Sequence, residues 1–168
     1  MKKLDLKAMV TCAALIAAAI VLSRFLSINA WNLKIGFTFV PVFIAAYLYG
    51  PIGGAVVGGI ADFIGAILFP IGAYFPGFTL TCVITGAVYG LLLHKKQTPL
   101  RILLAIAIVQ LGCGLLVTTY WISVLYGSPF TALLVTRSVQ CLIMIPVEFI
   151  VIGTMSRLLA RHKASLTA

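Results

Sequence analysis

Long apolar runs, broken by short clusters of polar, Gly and Pro residues, organise this chain from end to end. A helix needs about 20 apolar residues to cross a bilayer. Measured against that length, the pattern predicts six segments. The first runs from about Leu6 to Ile28 and gives way to a locally polar loop, Asn29 to Lys34. The second, about Ile35 to Tyr49, is short for a span and stops at Gly50-Pro51. The third runs from about Ile52 to Phe69, and a Pro/Gly loop (FPIGAYFPG) follows it. The fourth covers about Phe78 to Leu93 and meets the clearest hydrophilic break, HKKQTP, at His94 to Pro99. The fifth extends from about Leu100 to Leu125 and closes in a YGSP turn. The sixth, about Phe130 to Leu159, exceeds one bilayer thickness and must tilt or project into water. The expected fold is an all-α integral membrane bundle of six transmembrane helices, one domain over residues 1–168.

Composition supports that reading. The chain is 62% hydrophobic and 9% charged, more apolar surface than a water-soluble domain of 168 residues can hide. A net charge of +9 would suit nucleic acid, but the basic residues flank apolar runs, as topology determinants do. Nine of the twelve Lys and Arg residues (Lys2, Lys3, Lys7, Lys95, Lys96, Arg101, Arg157, Arg161, Lys163) lie at the termini or around HKKQTP. An even number of spans puts both termini on one side, and the positive-inside rule makes that side cytoplasmic, N-in and C-in. The basic start and Ala17-Ala18-Ala19 imitate a signal peptide, but the apolar stretch runs on and more segments follow, so a retained first helix is expected. Cys12, Cys82, Cys113 and Cys141 stand singly in apolar runs as packing residues, and neither His94 nor His162 has a second ligand at metal spacing, so no metal site is expected.

The remaining cations carry the candidate chemistry. Arg24, Lys34 and Arg137 fall toward the outer half of the predicted topology. Arg24 can snorkel to headgroups and Lys34 can be a loop cation. Arg137 lies about two turns into its segment, roughly 12 Å along the axis, where an unpaired cation costs a few kcal/mol or more. Only three acids exist: Asp5, Asp62 and Glu148. Glu148 falls eleven residues beyond Arg137, on the same face but roughly 16 Å away, so the two cannot pair directly. Asp62 can pair with Arg137 across helices. The surplus of cations nevertheless points to an anionic ligand entering from outside. Gln110, Thr118, Thr119, Ser123 and Gln140 can add neutral hydrogen bonds, and Phe37, Phe39, Tyr74, Phe75, Tyr120 and Trp121 can form aromatic walls. A flat heteroaromatic ring with an anionic far end uses this inventory well; charge alone would also fit a phosphate or a dicarboxylate.

Small residues recur at four-residue spacing on two faces. Gly50, Gly54 and Gly58, with Gly86 and Gly90, are expected to pack helices within the bundle. Ala13, Ala14, Ala17 and Ala18 form a stripe that serves equally well inside the bundle or between molecules. No phosphate loop, H-E-x-x-H or G-x-S-x-G motif occurs, and no nucleophile–base pair is evident, so neither ATP hydrolysis nor other catalysis is expected. The two-half repeat of a self-contained secondary transporter is also missing.

Particular stretches resemble a known family. LSRFLSI (Leu22 to Ile28), LKIGFTFVP (Leu33 to Pro41), LYGPIG (Leu48 to Gly53) and FPIGAYFPGFTL (Phe69 to Leu80) are similar to the substrate-binding S components of energy-coupling factor (ECF) vitamin transporters. WISVLYGSPF (Trp121 to Phe130) and RSVQCLIMIP (Arg137 to Pro146) narrow the resemblance to folate-specific members. The resemblance implies a bacterial cytoplasmic membrane protein that is not an enzyme and needs no cofactor. It implies capture of folate outside, then docking and toppling on a transmembrane coupling subunit, EcfT, driven by two EcfA ATPases. It maps the docking stripe onto Ala13, Ala14, Ala17 and Ala18. It makes Arg24, Lys34, Phe37, Asp62, Tyr74, Phe75, Trp121, Arg137 and Gln140 the candidate folate-binding residues, with the pterin stacked on Trp121 and hydrogen-bonded to a buried acid or amide, and the glutamate carboxylates on Arg24, Lys34 or Arg137. Another vitamin, such as pantothenate or a thiamine precursor, remains the alternative ligand.

Overall fold

The computed structural model describes residues 6–30, 33–70 and 73–166, with the side chains of 28–30, 33–35 and 161–166 outside that description. Helix α1 (Leu6–Arg24) leads into a short antiparallel hairpin, β1 (Ile28–Ala30) and β2 (Leu33–Ile35), with Ile28 opposite Ile35. Helix α2 (Phe39–Leu68) and helix α3 (Pro76–Leu93) follow. Next comes a continuous rod: α4 (Pro99–Ala107), a π-helical stretch (Ile108–Val117) and α5 (Thr118–Tyr126). The long helix α6 (Phe130–Leu166) completes the chain. Apart from the hairpin the described fold is helical.

Among the described residues, five helices are long and apolar enough to cross a membrane: Leu6–Arg24, Phe39–Leu68, Pro76–Leu93, Pro99–Tyr126 and Phe130–Ala160. The sequence predicts a sixth because it divides α2 at Gly50-Pro51. The division is present, since Gly50 has φ 75° and ψ −161°, outside any helical conformation. The chain also reverses there. Positions equidistant from Gly50 meet: a Cβ at Gly54 would reach Ala46 at 2.8 Å, and one at Gly58 would reach Val42 at 3.6 Å. The two arms of α2, 39–49 and 51–68, therefore run antiparallel. The first arm is shorter than a bilayer crossing, because 36–38 and the strand Leu33–Ile35 occupy the chain before it.

Glycine makes the tightest seam in the bundle. A Cβ at Gly54 would strike the backbone of Gly86, one at Gly86 would strike that of Gly54, and one at Gly58 would meet the Cys82 carbonyl oxygen at 2.7 Å. Helices α2 and α3 thus touch backbone to backbone. In lipid no hydrophobic force drives helices together, so this close dispersion contact is the main gain. The glycine stripes pack the bundle, as the sequence predicts. Beside this seam lies a core of Phe43, Tyr47, Tyr89, Leu93, Ile102, Ile106, Met144 and Ile152, which ties α2 and α3 to α4 and α6.

Helix α1 is attached differently. It packs on α2 but buries only Ala19 and Ser23. Its opposite face, with Leu6, Met9, Val10, Ala13, Ala14, Ala17, Ala18 and Val21, is exposed.

Candidate functional site

A cavity of about 670 Å³ runs along the bundle between α1, α2, α3, the π-helical rod and α6. Arg24, Gly36, Thr38, Asp62 and Tyr74 surround its hairpin end. Tyr89, Gln110 and Glu148 line its deep end, where Tyr89 is 0% and Glu148 3% exposed. Tyr89 lies thirteen residues into α3 from Pro76, so the ends are about 20 Å apart along that axis.

The deep end is built around one carboxylate. Glu148 accepts from the Tyr89 hydroxyl at 3.0 Å through Oε2 and from the Gln110 amide at 2.7 Å through Oε1. Each partner comes from a different element, so α3, the π-helical stretch and α6 converge on a single group. A bare carboxylate at this depth would cost several kcal/mol, and the donors offset part of that cost. Pro146 removes one ladder donor in the same turn of α6.

Arg137 stands one level nearer the hairpin. It is 7% exposed, lines the cavity, and its guanidinium donates to the Gly114 carbonyl at 3.1 Å. That carbonyl belongs to the π-helical stretch, whose i→i+5 bonding widens the turn. Thr118, also on the wall, donates to the carbonyl of Cys113 five residues back, at 2.7 Å. Gln140 follows Arg137 around the wall.

The hairpin end holds the second cation. Arg24 lies across Gly65, where a Cβ would meet its Nε at 3.0 Å. That Nε is buried and has no hydrogen-bond partner. Asp62, one turn before Gly65 on α2, accepts from the Thr79 hydroxyl at 2.8 Å. Among the described residues no carboxylate lies within ion-pair distance of Arg24. The cavity therefore carries Arg24 and Asp62 at its hairpin end and Glu148 at its deep end.

Aromatic rings wall one side. Phe75 and Phe78 line the cavity, edge to face at 5.9 Å, and Tyr74 stands at the rim. Trp121 sits behind Phe75, with ring centroids 5.3 Å apart, and its indole N–H donates to the Thr81 hydroxyl at 3.2 Å. It supports the wall without forming its surface.

Of the nine residues singled out in sequence for ligand contact, Arg24, Asp62, Tyr74, Phe75, Arg137 and Gln140 line this one cavity. Trp121 lies one layer back, Phe37 is 47% exposed beside Phe39, and the Lys34 side chain lies outside the described residues. Glu148, Tyr89, Thr38 and Thr81 join the site without having been singled out. An intramembrane acid is a signal for Glu148 in its own right; Tyr89 and the threonines carry no local signal.

Comparison with known proteins yields a consistent set. Residues 7–155 match the sequence profile of the family described as ECF transporter, substrate-specific component. The folate transporter FolT of Clostridium novyi (strain NT) is 39% identical over 153 residues, 90% of this chain and 88% of that protein. The folate transporter FolT of Leuconostoc mesenteroides subsp. mesenteroides is 33% identical over 153 residues, 87% of this chain and 82% of that protein. A crystal structure of FolT bound with folic acid superposes with a TM-score of 0.87 at 33% identity, covering 91% of this chain and 94% of that one. The S component of a bacterial ECF transporter superposes at 0.62 with 22% identity, covering 96% and 97%, a likeness of fold alone.

Proposed function

We infer the activity from the fact that this chain belongs to the family of ECF transporter substrate-specific components. Members of that family are transport subunits, not enzymes. The chain binds folate in the cavity between Arg24 and Glu148 and hands it to a coupling partner. One observation carries this reading: an elongated cavity with buried cations occurs in a fold that superposes at 0.87 on FolT bound with folic acid. Arg24, with a buried Nε that has no hydrogen-bond partner, and Arg137 take the glutamate carboxylates. Lys34 adds charge from the hairpin. Phe75 and Tyr74 flank the aromatic part, with Trp121 and Phe37 behind and above them. Asp62 and Gln140 complete the polar wall.

The protein resides in a bacterial cytoplasmic membrane as six transmembrane segments, the two arms of α2 counting separately, with both termini inside. The hairpin end then faces outward and the Gly50 turn inward. Docking on EcfT, driven by two EcfA ATPases, uses the exposed Ala13, Ala14, Ala17 and Ala18 face. Toppling on that partner turns the cavity mouth inward.

Titration of the detergent-purified chain with folic acid, pantothenate and thiamine precursors tests the ligand. Folic acid alone should bind tightly; tight binding of another vitamin without folic acid would overturn the reading. Arg24→Gln and Arg137→Gln should each weaken folic acid by about tenfold or more, the loss of a hydrogen-bonded charge pair. Unchanged affinity would remove that arginine from the site.

A further inference from the structure

We propose that Asp62 is a built-in competitor for Arg24, and that Thr79 is the positioning residue that holds the Asp62 carboxylate off the guanidinium while the cavity takes up an anion. This rests on the folate reading and adds the residues that set how firmly the ligand is held.

The hairpin end brings opposite charges together without pairing them. Arg24 lies across Gly65 of α2, where a Cβ would meet its Nε at 3.0 Å and its Nη2 at 3.3 Å. Asp62 stands three residues earlier on the same helix. Residues three apart are neighbours on one helix face, with Cβ atoms about 5–6 Å from each other. Both side chains line the cavity. The low dielectric of a membrane interior strengthens the attraction between such charges. Yet among the described residues Arg24 has no carboxylate within ion-pair distance, and its buried Nε has no hydrogen-bond partner.

The restraint comes from α3. The Thr79 hydroxyl donates to Asp62 Oδ2 at 2.8 Å. The Tyr74 hydroxyl lies 3.4 Å from the same Thr79 oxygen and backs it. The Tyr74 ring is in turn seated edge-on against Phe63 of α2, with centroids 5.9 Å apart. The carboxylate is thus drawn toward α3. Arg24 stays available to an incoming carboxylate, but a negative charge remains one turn away. That charge repels the ligand's anion, and it takes the anion's place on Arg24 once the Thr79 bond is lost. A subunit that must release what it captures is served by both properties.

The experiment measures equilibrium binding and dissociation of folic acid on the full chain in detergent. Asp62→Asn keeps an oxygen for Thr79 and removes the charge. It should tighten folic acid by about three- to tenfold, mostly through slower release. Thr79→Val keeps the shape and removes the donor, and should weaken folic acid by about tenfold. Thr79→Ser keeps the hydroxyl and should bind within about twofold of wild type. The decisive comparison combines the changes. In the Asp62→Asn background, Thr79→Val should alter affinity by less than about twofold, because no charge is left to be set loose. In the Arg24→Gln background it should be equally silent, because the competitor has lost its target. Thr79→Val that weakens folic acid equally in all three backgrounds is a packing defect and overturns the proposal, as does Thr79→Val with wild-type affinity. Unchanged or weaker binding by Asp62→Asn overturns it too, whether or not any Thr79 variant folds. Failure of the wild type to bind folic acid at all removes the underlying folate reading instead, and that first titration tells the two failures apart.

Discussion

Two stripes of small residues, alike in sequence, end in opposite surroundings. Gly54 and Gly58 meet Gly86 and Cys82 so closely that a single added methyl group would strike backbone. Ala13, Ala14, Ala17 and Ala18 have the same four-residue recurrence and remain exposed, although their own helix packs against α2 through Ala19 and Ser23. Four-residue recurrence of small side chains says that a backbone can be approached. It does not say by what. In the glycine seam the approaching helix is part of the same chain and the gain is internal stability. On α1 no described element of the chain covers the stripe.

Substitutions separate these two uses. The largest effect is expected from Gly86→Leu. The side chain would have to displace the backbone of α2, which no rotamer change avoids, so no monodisperse protein should survive detergent extraction. A folded, ligand-binding Gly86→Leu protein would show that the seam is looser than described. Next is the double change Ala14→Leu with Ala18→Leu. Folate uptake by cells carrying the coupling subunits should fall to background, while folic acid affinity in detergent stays within about twofold of wild type and thermal stability is unaltered, as usual for exposed positions. Lost binding would mean that the alanine face supports the bundle itself. Gly50→Ala should cost about 1–3 kcal/mol, because φ 75° with ψ −161° is nearly confined to glycine. A thermal unfolding series would register it as a lower midpoint with unaltered ligand selectivity. The smallest effect belongs to Gly153→Ala. Nothing lies within 4 Å of an added Cβ there, so the change should be neutral or stabilise by less than about 1 kcal/mol.

The cavity was legible in part, and the reason differs by residue. Arg137 and Arg24 stand out in sequence because a cation in an apolar run is costly wherever the helix faces. Asp62 and Gln140 stand out by the same logic, and the structure places all four in the lining of one cavity. Tyr89 could not be foreseen, since a tyrosine in an apolar run has no distinguishing cost until its hydroxyl finds Glu148 on α6. Glu148 was visible as a buried acid, but its role depends on Gln110, thirty-eight residues away, which only the π-helical turn and the fold bring to it. Trp121 reads as a stacking surface in sequence, and in the structure its ring packs against Phe75, a contact that depends on which helix stands in front of it.

By itself the sequence determined that this protein lives in a bilayer, where its apolar segments lie, where α2 breaks, and that cations lie in its apolar runs; it did not show that α1 stops at Arg24 and that a hairpin, Ile28–Ala30 with Leu33–Ile35, precedes α2. What it did determine follows from the cost of moving each residue from water to lipid, a local property that each segment carries alone. Tertiary structure decided which small-residue stripe was sealed and which stayed open. It also decided that Arg24, Asp62, Arg137 and a doubly hydrogen-bonded Glu148 would line one cavity. Those outcomes depend on pairs of helices approaching within a few ångström, and no single segment contains that information.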